Sequence, residues 1–309
     1  MCNIWNDLTP PVRVDDILKV AIGPKKLGNV DFNDWEAVMA EIVTGDSFGV
    51  DRMDYLLRDS YHAGVAYGRF DHFRLIETLR ILPPPPVPAR PQLIQAELTL
   101  HEDIEEESSN EPMLGILLGG LNAAESLLLA RYFMFSQVYF HPNRIAYNHH
   151  LLEFLKKWLP KGKFTKNPKK YLEITDNEVT TAMLIAARTP GKKGHDAAKR
   201  IIARNHYKVV YEGNPEDITK RPDALDRLTS AIQKEFGVGK VFSFEYTEKG
   251  GAHDFPVKLK DGRRASSLTV SSVLKKLPLL DVNYIFIEPN LRDSARLWLY
   301  NNRLRILGS

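Results

Sequence analysis

The stretch from Gly49 to Gly64 holds the chain's densest run of side chains able to do chemistry: Asp51, Arg52, Asp54, Tyr55, Arg58, Asp59 and His62. On a helix advancing about 100° per residue, Asp51, Tyr55, Arg58, Asp59 and His62 fall within an arc of roughly 100°. Met53, Leu56 and Leu57 point elsewhere, toward a core. A carboxylate in the first turn sits at the favourable end of the helix dipole, stays ionised there, and suits a hard divalent cation. The alternative is a solvated face of ion pairs, for example Asp54 with Arg58 at a four-residue spacing. A tyrosine and a histidine among charges do not by themselves name a reaction.

The elements that must position this face follow from periodicity and breakers. Helices are predicted over residues 33–43, 50–62, 70–80, 122–139 and 144–159, with shorter ones near 176–187 and 195–205. The third stops at the proline run beginning at Pro83, a stiff extended spacer. Strands are predicted over 93–100, 112–120, 207–211, 240–246, 255–259 and 284–288, with a mobile acidic loop over 102–111. The fold class read from this pattern is a mainly helical first half followed by an α+β C-terminal region. The domain boundary is placed at residue 165, giving 1–165 and 166–309.

Composition excludes several classes. The chain has 309 residues, 43% hydrophobic and 26% charged, with a net charge of +3. That is ordinary globular composition and excludes collagen-like and wholly disordered chains. Apolar runs around Leu114 to Leu118 and Leu127 to Ala130 are too short to cross a bilayer, and no signal-peptide pattern is seen near the start. A cytoplasmic location is the default expectation. The single cysteine, Cys2, can form no internal disulfide and no thiolate metal site alone.

The string Gly49-Val50-Asp51-Arg52-Met53-Asp54-Tyr55-Leu56-Leu57-Arg58-Asp59 continues through His62-Ala63-Gly64 to Phe70-Asp71 and Arg74-Leu75-Ile76. It resembles the last conserved segment of the HD-domain phosphohydrolases, in the branch that includes the dNTP triphosphohydrolases and the sterile-alpha-motif and HD-domain enzyme. Ala124-Glu125, Ala130-Arg131-Tyr132, Val138 to His141 and Arg144 to His149 resemble the helices that follow. The resemblance covers residues 10–160 well and the remainder loosely. It implies a divalent metal held by a His, a His-Asp pair and a distant Asp, with Asp51 as the last ligand. The fold it implies is a mainly α HD-domain-like helical core, incomplete in this chain, ahead of the α+β C-terminal region. It further implies that Arg52 contacts phosphate, that Tyr55 and Asp59 line the catalytic pocket near the sugar and phosphates, and that Arg144 and Tyr147 face the nucleotide with His149 nearby; Arg58, on the same face as Tyr55, is a further substrate-binding candidate. In a completed site Arg52 would neutralise developing charge, Asp59 would position or deprotonate water or else form a structural ion pair with an arginine, and His62 would act as general acid toward the leaving group or simply cap the helix end. Asp71 and Arg74 resemble positions of an activating nucleotide site between subunits. Oligomers are expected by the same likeness.

The first histidine in the sequence is His62, so nothing before Asp51 can supply the upstream His and His-Asp ligands. The later dipeptides His195-Asp196 and His253-Asp254 lie in the loosely matching half and are not expected to be ligands. The expectation is an HD protein lacking its first part, inactive alone. A separate polypeptide carrying the His and His-Asp ligands would complete it, its metal polarising a phosphoryl oxygen and activating water. A truncated chain, or a fold that has truly lost its metal, would leave the same gap. The rival readings are a silent nucleotide-binding, regulatory or assembly subunit and a nucleic-acid-binding protein. The last rests on Lys156, Lys157, Lys161, Lys163, Lys166, Lys169 and Lys170 interleaved with Trp158, Phe164 and Tyr171. The lysines and arginines between Arg188 and Arg204, with His206, read as a solvated helix and its loops.

Overall fold

The computed structural model describes residues 12–28, 30–84, 112–248 and 254–308. Along the chain come α1 (Val14–Ile22), α2 (Pro24–Leu27), α3 (Asp34–Thr44), α4 (Val50–Ala63), α5 (His72–Thr78), β1 (Leu79–Leu82), β2 (Met113–Leu117) and α6 (Leu121–Met134). Next are α7 (Pro142–Trp158), α8 (Pro168–Leu172), α9 (Asp176–Arg188), α10 (His195–Ile202), β3 (Lys208–Glu212), α11 (Pro215–Lys220), α12 (Ala224–Phe236) and β4 (Val241–Thr247). The chain ends with β5 (Pro256–Lys258), β6 (Arg264–Ser266), α13 (Ser267–Val270), α14 (Ser272–Lys276), β7 (Asp281–Ile287) and α15 (Arg292–Leu307). The architecture is mainly helical with two small sheets, as the sequence pattern predicts. None of the helices among the described residues is long and apolar enough to cross a membrane.

Two compact units result, residues 1–134 with 249–279, and residues 135–248 with 280–309. In the first, the sheet order is β1-β2-β5-β6, and β2 pairs in parallel with β5 although they lie far apart in sequence. Its core gathers Phe48, Leu56, Leu75, Ile116, Leu127, Leu128, Met134 and Phe255, all fully buried. The chain enters α4 through a tight turn in which the Gly49 amide donates to the Gly45 carbonyl at 3.0 Å. It leaves at Gly64, whose φ of +68° is the left-handed conformation that ends a helix without a Cβ penalty. Gly68 then lies against α4 and α6 so closely that a Cβ there would stand 2.6 Å from the Ser60 Cβ and 2.8 Å from the Met134 sulfur.

In the second unit, β3-β7-β4 form an antiparallel sheet. Alternate residues of β7 point to opposite faces, as a strand requires. Ile285 and Ile287 pack on α12 and α15 through Leu228, Ile232 and Leu299, while Tyr284 and Phe286 face Ile145 and Ala146 of α7. A separate cluster of Phe154, Ala186, Ala197 and Ala198 joins α7, α9 and α10.

Several sequence expectations change in detail. The helix predicted over 70–80 ends at Thr78 and the chain continues as β1, because residues 79–82 find a strand partner in β2, from Leu79 opposite Ile116 to Leu82 opposite Met113. The helix predicted to Tyr139 changes to a π turn over Phe135–Tyr139. His206 is not solvated: it is 5% exposed, with Nε2 3.1 Å from both Asn143 Oδ1 and Lys208 Nζ. The predicted strand over 93–100, the acidic loop over 102–111 and His253 lie outside the described residues.

Candidate functional site

The candidate face of α4 is graded in depth. Asp51, Arg58 and His62 are exposed, Arg52, Tyr55 and Asp59 are half-buried, and Leu56 and Ser60 are fully enclosed. The gradient follows from angle, since Arg52, Tyr55 and Asp59 lie about 40–100° around the helix from Asp51, toward the Leu56 side. The face therefore divides into a solvent edge and an inner edge.

The inner edge is built from three segments of the first unit. Arg52 reaches back over the α3–α4 turn: its Nη1 donates to the Asp46 carbonyl, and its Nη2 to Asp46 Oδ1 at 3.1 Å. The turn is held by Phe48, wholly buried with its ring edge-on to Phe255 at 4.7 Å between centroids. Tyr55 accepts a hydrogen bond from Arg131 of α6. Burial pushes the Tyr55 hydroxyl pKa above its ordinary value against the pull of Arg52 and Arg131. Arg52 is drawn below the usual guanidinium value, first by burial and then by the charge of Arg131. Two like-charged, partly desolvated guanidiniums beside a phenol form an environment that an anion would relieve.

Arg131 is a functional candidate that the sequence pattern alone does not assign. The available signal is its position: it lies on α6 among Leu127, Leu128 and Met134, all buried. A lone arginine on such a face has a partner to meet.

At the solvent edge, Asp51 Oδ1 accepts the Arg52 amide N–H at 2.7 Å. Arg58 pairs with Asp54 one turn earlier, both side chains more than half exposed. For these two residues the face is the solvated ion pair that their four-residue spacing allows. His62 lies in the last turn with its ring edge-on to Tyr61. Asp71 caps α5 by accepting the Arg74 amide at 3.0 Å, and Arg74 Nη2 donates to the Gly119 carbonyl at 3.2 Å.

Arg144, Tyr147 and His149 belong to the second unit, on α7. Arg144 is exposed and donates to the Tyr139 carbonyl. Tyr147 lies against the His206 ring at 4.4 Å, and His149 stacks on Phe242 at 3.7 Å with the rings nearly parallel. At 100° per residue, Tyr147 and His149 stand roughly 200° apart, so α7 turns them to opposite sides.

The family metal can be tested against these residues. Asp51 offers one hard carboxylate oxygen, and among the described residues the only group of three potential ligands is His149, His150 and Glu153, with donor atoms within 4.8 Å of one another. In that group His150 is fully buried and already committed: Nε2 accepts the Tyr207 amide N–H at 3.2 Å, so Nδ1 carries the proton facing Glu153 Oε2 at 3.2 Å. A ligating imidazole must offer a lone pair, which His150 can do only by giving up one of these bonds. Among the described residues no group of three potential ligands includes Asp51. His195, in the first later dipeptide, places Nδ1 2.8 Å from the Ala186 carbonyl. Asp254, in the second, accepts hydrogen bonds from Ser266 and Ser267 at 2.8 Å.

Comparison with known proteins shows a likeness of fold and of one region of sequence. Over most of its length the chain shares a fold with solved helical proteins. A hypothetical protein from Aquifex aeolicus aligns over 96% of this chain and 69% of its own, at 26% identity and a TM-score of 0.70. A phosphohydrolase from Bacteroides thetaiotaomicron aligns over 81% of this chain and 63% of its own, at 21% identity and a TM-score of 0.54, a likeness of fold alone. In sequence, residues 104–240 match the HD associated region. Over 107 residues the chain is 40% identical to the uncharacterized protein MJ1154 of Methanocaldococcus jannaschii, covering 34% of this chain and 18% of that protein. Over 132 residues it is 30% identical to the uncharacterized protein YwfO of Bacillus subtilis, covering 42% of this chain and 24% of that one. The match thus spans under a quarter of either relative.

Proposed function

We propose that this chain is part of a metal-dependent HD-type phosphohydrolase acting on nucleotide phosphates of the dNTP kind, with Asp51 as one ligand of a metal whose other ligands lie outside this sequence. The observation that carries the reading is the inner edge of α4, where Arg52, Tyr55 and Arg131 meet one residue and one turn away from the Asp51 carboxylate. The HD associated region over residues 104–240 supports it, as does the name phosphohydrolase carried by the similar Bacteroides protein.

Each residue then has a task its surroundings permit. Arg52 is fixed by Asp46 and would meet phosphate oxygens, with Arg131 behind it sharing the negative charge. Tyr55, tethered to Arg131, would orient the sugar. Asp59 is half-buried on the same edge and would position water, and exposed His62 would hand a proton to the leaving group. By the family likeness alone, Arg58, Arg144, Tyr147 and His149 are carried over as substrate contacts; Arg58, Tyr147 and His149 would each have to leave a present partner, Asp54, His206 and Phe242, to reach a substrate. A single exposed carboxylate does not retain a divalent ion against water, so the chain alone is expected to be inactive.

The test compares the chain alone with the chain complemented by a polypeptide carrying the His and His-Asp ligands. Bound metal is measured by elemental analysis and phosphate release from a dNTP is followed. Metal and turnover only in the complemented form support the reading. Turnover by the chain alone, or none in a complemented form that holds metal, overturns it; nucleotide binding without turnover in that form would favour the silent subunit.

A further inference from the structure

The second unit carries a surface that the proposed hydrolase chemistry does not use. From Phe154 to Leu172 there are seven lysines and no acidic residue. Lys156, Lys157, Lys161, Lys163, Lys166, Lys169 and Lys170 are all exposed. They run from the last turn of α7, across the turn at Pro160–Gly162, into α8. Where this protein pairs exposed charges it sets a carboxylate a few residues from an arginine, as in Arg58 with Asp54, Arg227 with Asp223 and Arg263 with Asp261; the lysine run contains no such carboxylate. Among the described residues none of the seven lysines forms an ion pair with a carboxylate. Glu153, one turn before the run, is turned to His149 and His150 instead. A concentration of positive charge left uncompensated raises the local potential and draws a polyanion.

Aromatic side chains are set among these charges and are not used by the core. Phe164 is 46% exposed and Tyr171 52% exposed, and their rings meet edge to face at 5.8 Å. Leu172 beside them is 76% exposed. The third aromatic residue of the run, Trp158, is turned inward against Phe154 and belongs to the α7–α9–α10 cluster. The segment is also built to hold a shape. Lys161 adopts a left-handed φ of +56°, reversing the chain after α7. Asn167 Oδ1 accepts the Lys170 amide at 3.2 Å, fixing the start of α8 and hence the direction of Tyr171.

Lysines that track a phosphate backbone, with exposed rings between them on which unstacked bases can lie, are the chemistry of sequence-tolerant single-strand recognition. A lipid surface could also take up lysines and rings together, an outcome the test below separates, whereas duplex bases are already stacked on one another and leave the rings nothing to stack on. We propose that the face formed by the end of α7, the Pro160–Gly162 turn and α8 binds single-stranded nucleic acid, the lysines contacting phosphates and Phe164 and Tyr171 stacking on bases.

The test is fluorescence anisotropy of a labelled single-stranded oligothymidylate with the full chain over a range of salt. Binding should weaken linearly in log salt. Replacing Lys166, Lys169 and Lys170 together with Gln should flatten the slope by about two, since each phosphate contact on a single strand contributes about 0.7. Tyr171→Ala and Phe164→Ala should each weaken binding roughly tenfold while leaving the slope in place. All these positions are exposed, so circular dichroism of the variants should match the parent. Salt-independent binding, or affinity unchanged in the triple lysine variant, would overturn the proposal. So would equal affinity for a duplex of the same length, or preference for vesicles rich in phosphatidylserine with no response to the aromatic variants.

Discussion

The imidazole of His150 is wedged between two partners, its Nε2 taking the Tyr207 amide N–H and its Nδ1 facing the Glu153 carboxylate, each at 3.2 Å. Through the first bond α7 is tied to the chain just before β3, inside the core of the second unit. His150→Ala would leave the buried Tyr207 amide without its acceptor and open a cavity beside it. The expected cost is about 2–4 kcal/mol, the sum of an unsatisfied buried donor and lost packing. Urea unfolding checks it. Equilibrium dialysis against zinc, before and after the change, should show no loss of stoichiometric tight binding, because His150 is spent on the fold.

Asp51 has the opposite character. It is exposed, and its only hydrogen bond among the described residues is the local one from the Arg52 amide. Asp51→Asn keeps size and acceptor, so unfolding should shift by less than about 0.5 kcal/mol. In the complemented protein the same change should abolish metal retention and lower dNTP turnover by at least about a hundredfold, by loss of one charged ligand from a small set. A stable variant with unchanged turnover would remove Asp51 from the site.

The fold was legible where local pattern decides structure. α4 and α7 were readable from the spacing of Leu56 and Leu57, and of Ile145 and Phe154, because a helix buries one stripe and the stripe is written in the chain. The parallel pairing of Ile116 with Val257 was not legible, since no local signal announces a contact between segments so far apart. α15 escaped notice for another reason: Leu297, Tyr300 and Leu304 are 66%, 84% and 65% exposed, blurring its apolar stripe. At the site, the α4 face was visible as a periodicity, but its division into inner and outer edges depends on α6. Arg131 illustrates this, because its spacing shows only that it joins an apolar helix and not that it reaches Tyr55.

The Phe48–Phe255 contact gives a way to disturb the site without touching it. Phe255 is wholly buried, and its ring supports the turn carrying Asp46, which holds Arg52. Phe255→Ala should cost about 3–5 kcal/mol of stability. Phe255→Leu should cost less and still loosen the turn. In the complemented protein Phe255→Leu is expected to raise KM for the nucleotide more than it lowers kcat, because Arg52 binds phosphate from a less fixed position. Steady-state kinetics beside a thermal melt would separate this from global loss of fold. A kcat effect alone would mean that Arg52 does not depend on the turn.

Acid should weaken the second unit in two stages. His149 and His206 are both held below the ordinary imidazole pKa, chiefly by burial, with Lys208 adding to the effect at His206 and Glu153 opposing it at His149. A histidine kept neutral by the fold binds fewer protons than the same histidine unfolded. Its stabilising contribution is therefore fully present above the unfolded value, about 6.5, and is lost as pH falls from there toward the folded value. Glu153 is lowered by its bond to His150, so its contribution persists to lower pH and is lost only below about 4.3. Melting followed by the fluorescence of Trp158 and Trp298 should show a first drop in Tm starting near pH 6.5 and a second below about pH 4.3. His149→Phe preserves a ring to stack on Phe242 and removes one titrating group, so the first drop should shrink while the second remains. If the first drop kept its full size in that variant, burial of His149 would not be what makes the unit sensitive to mild acid.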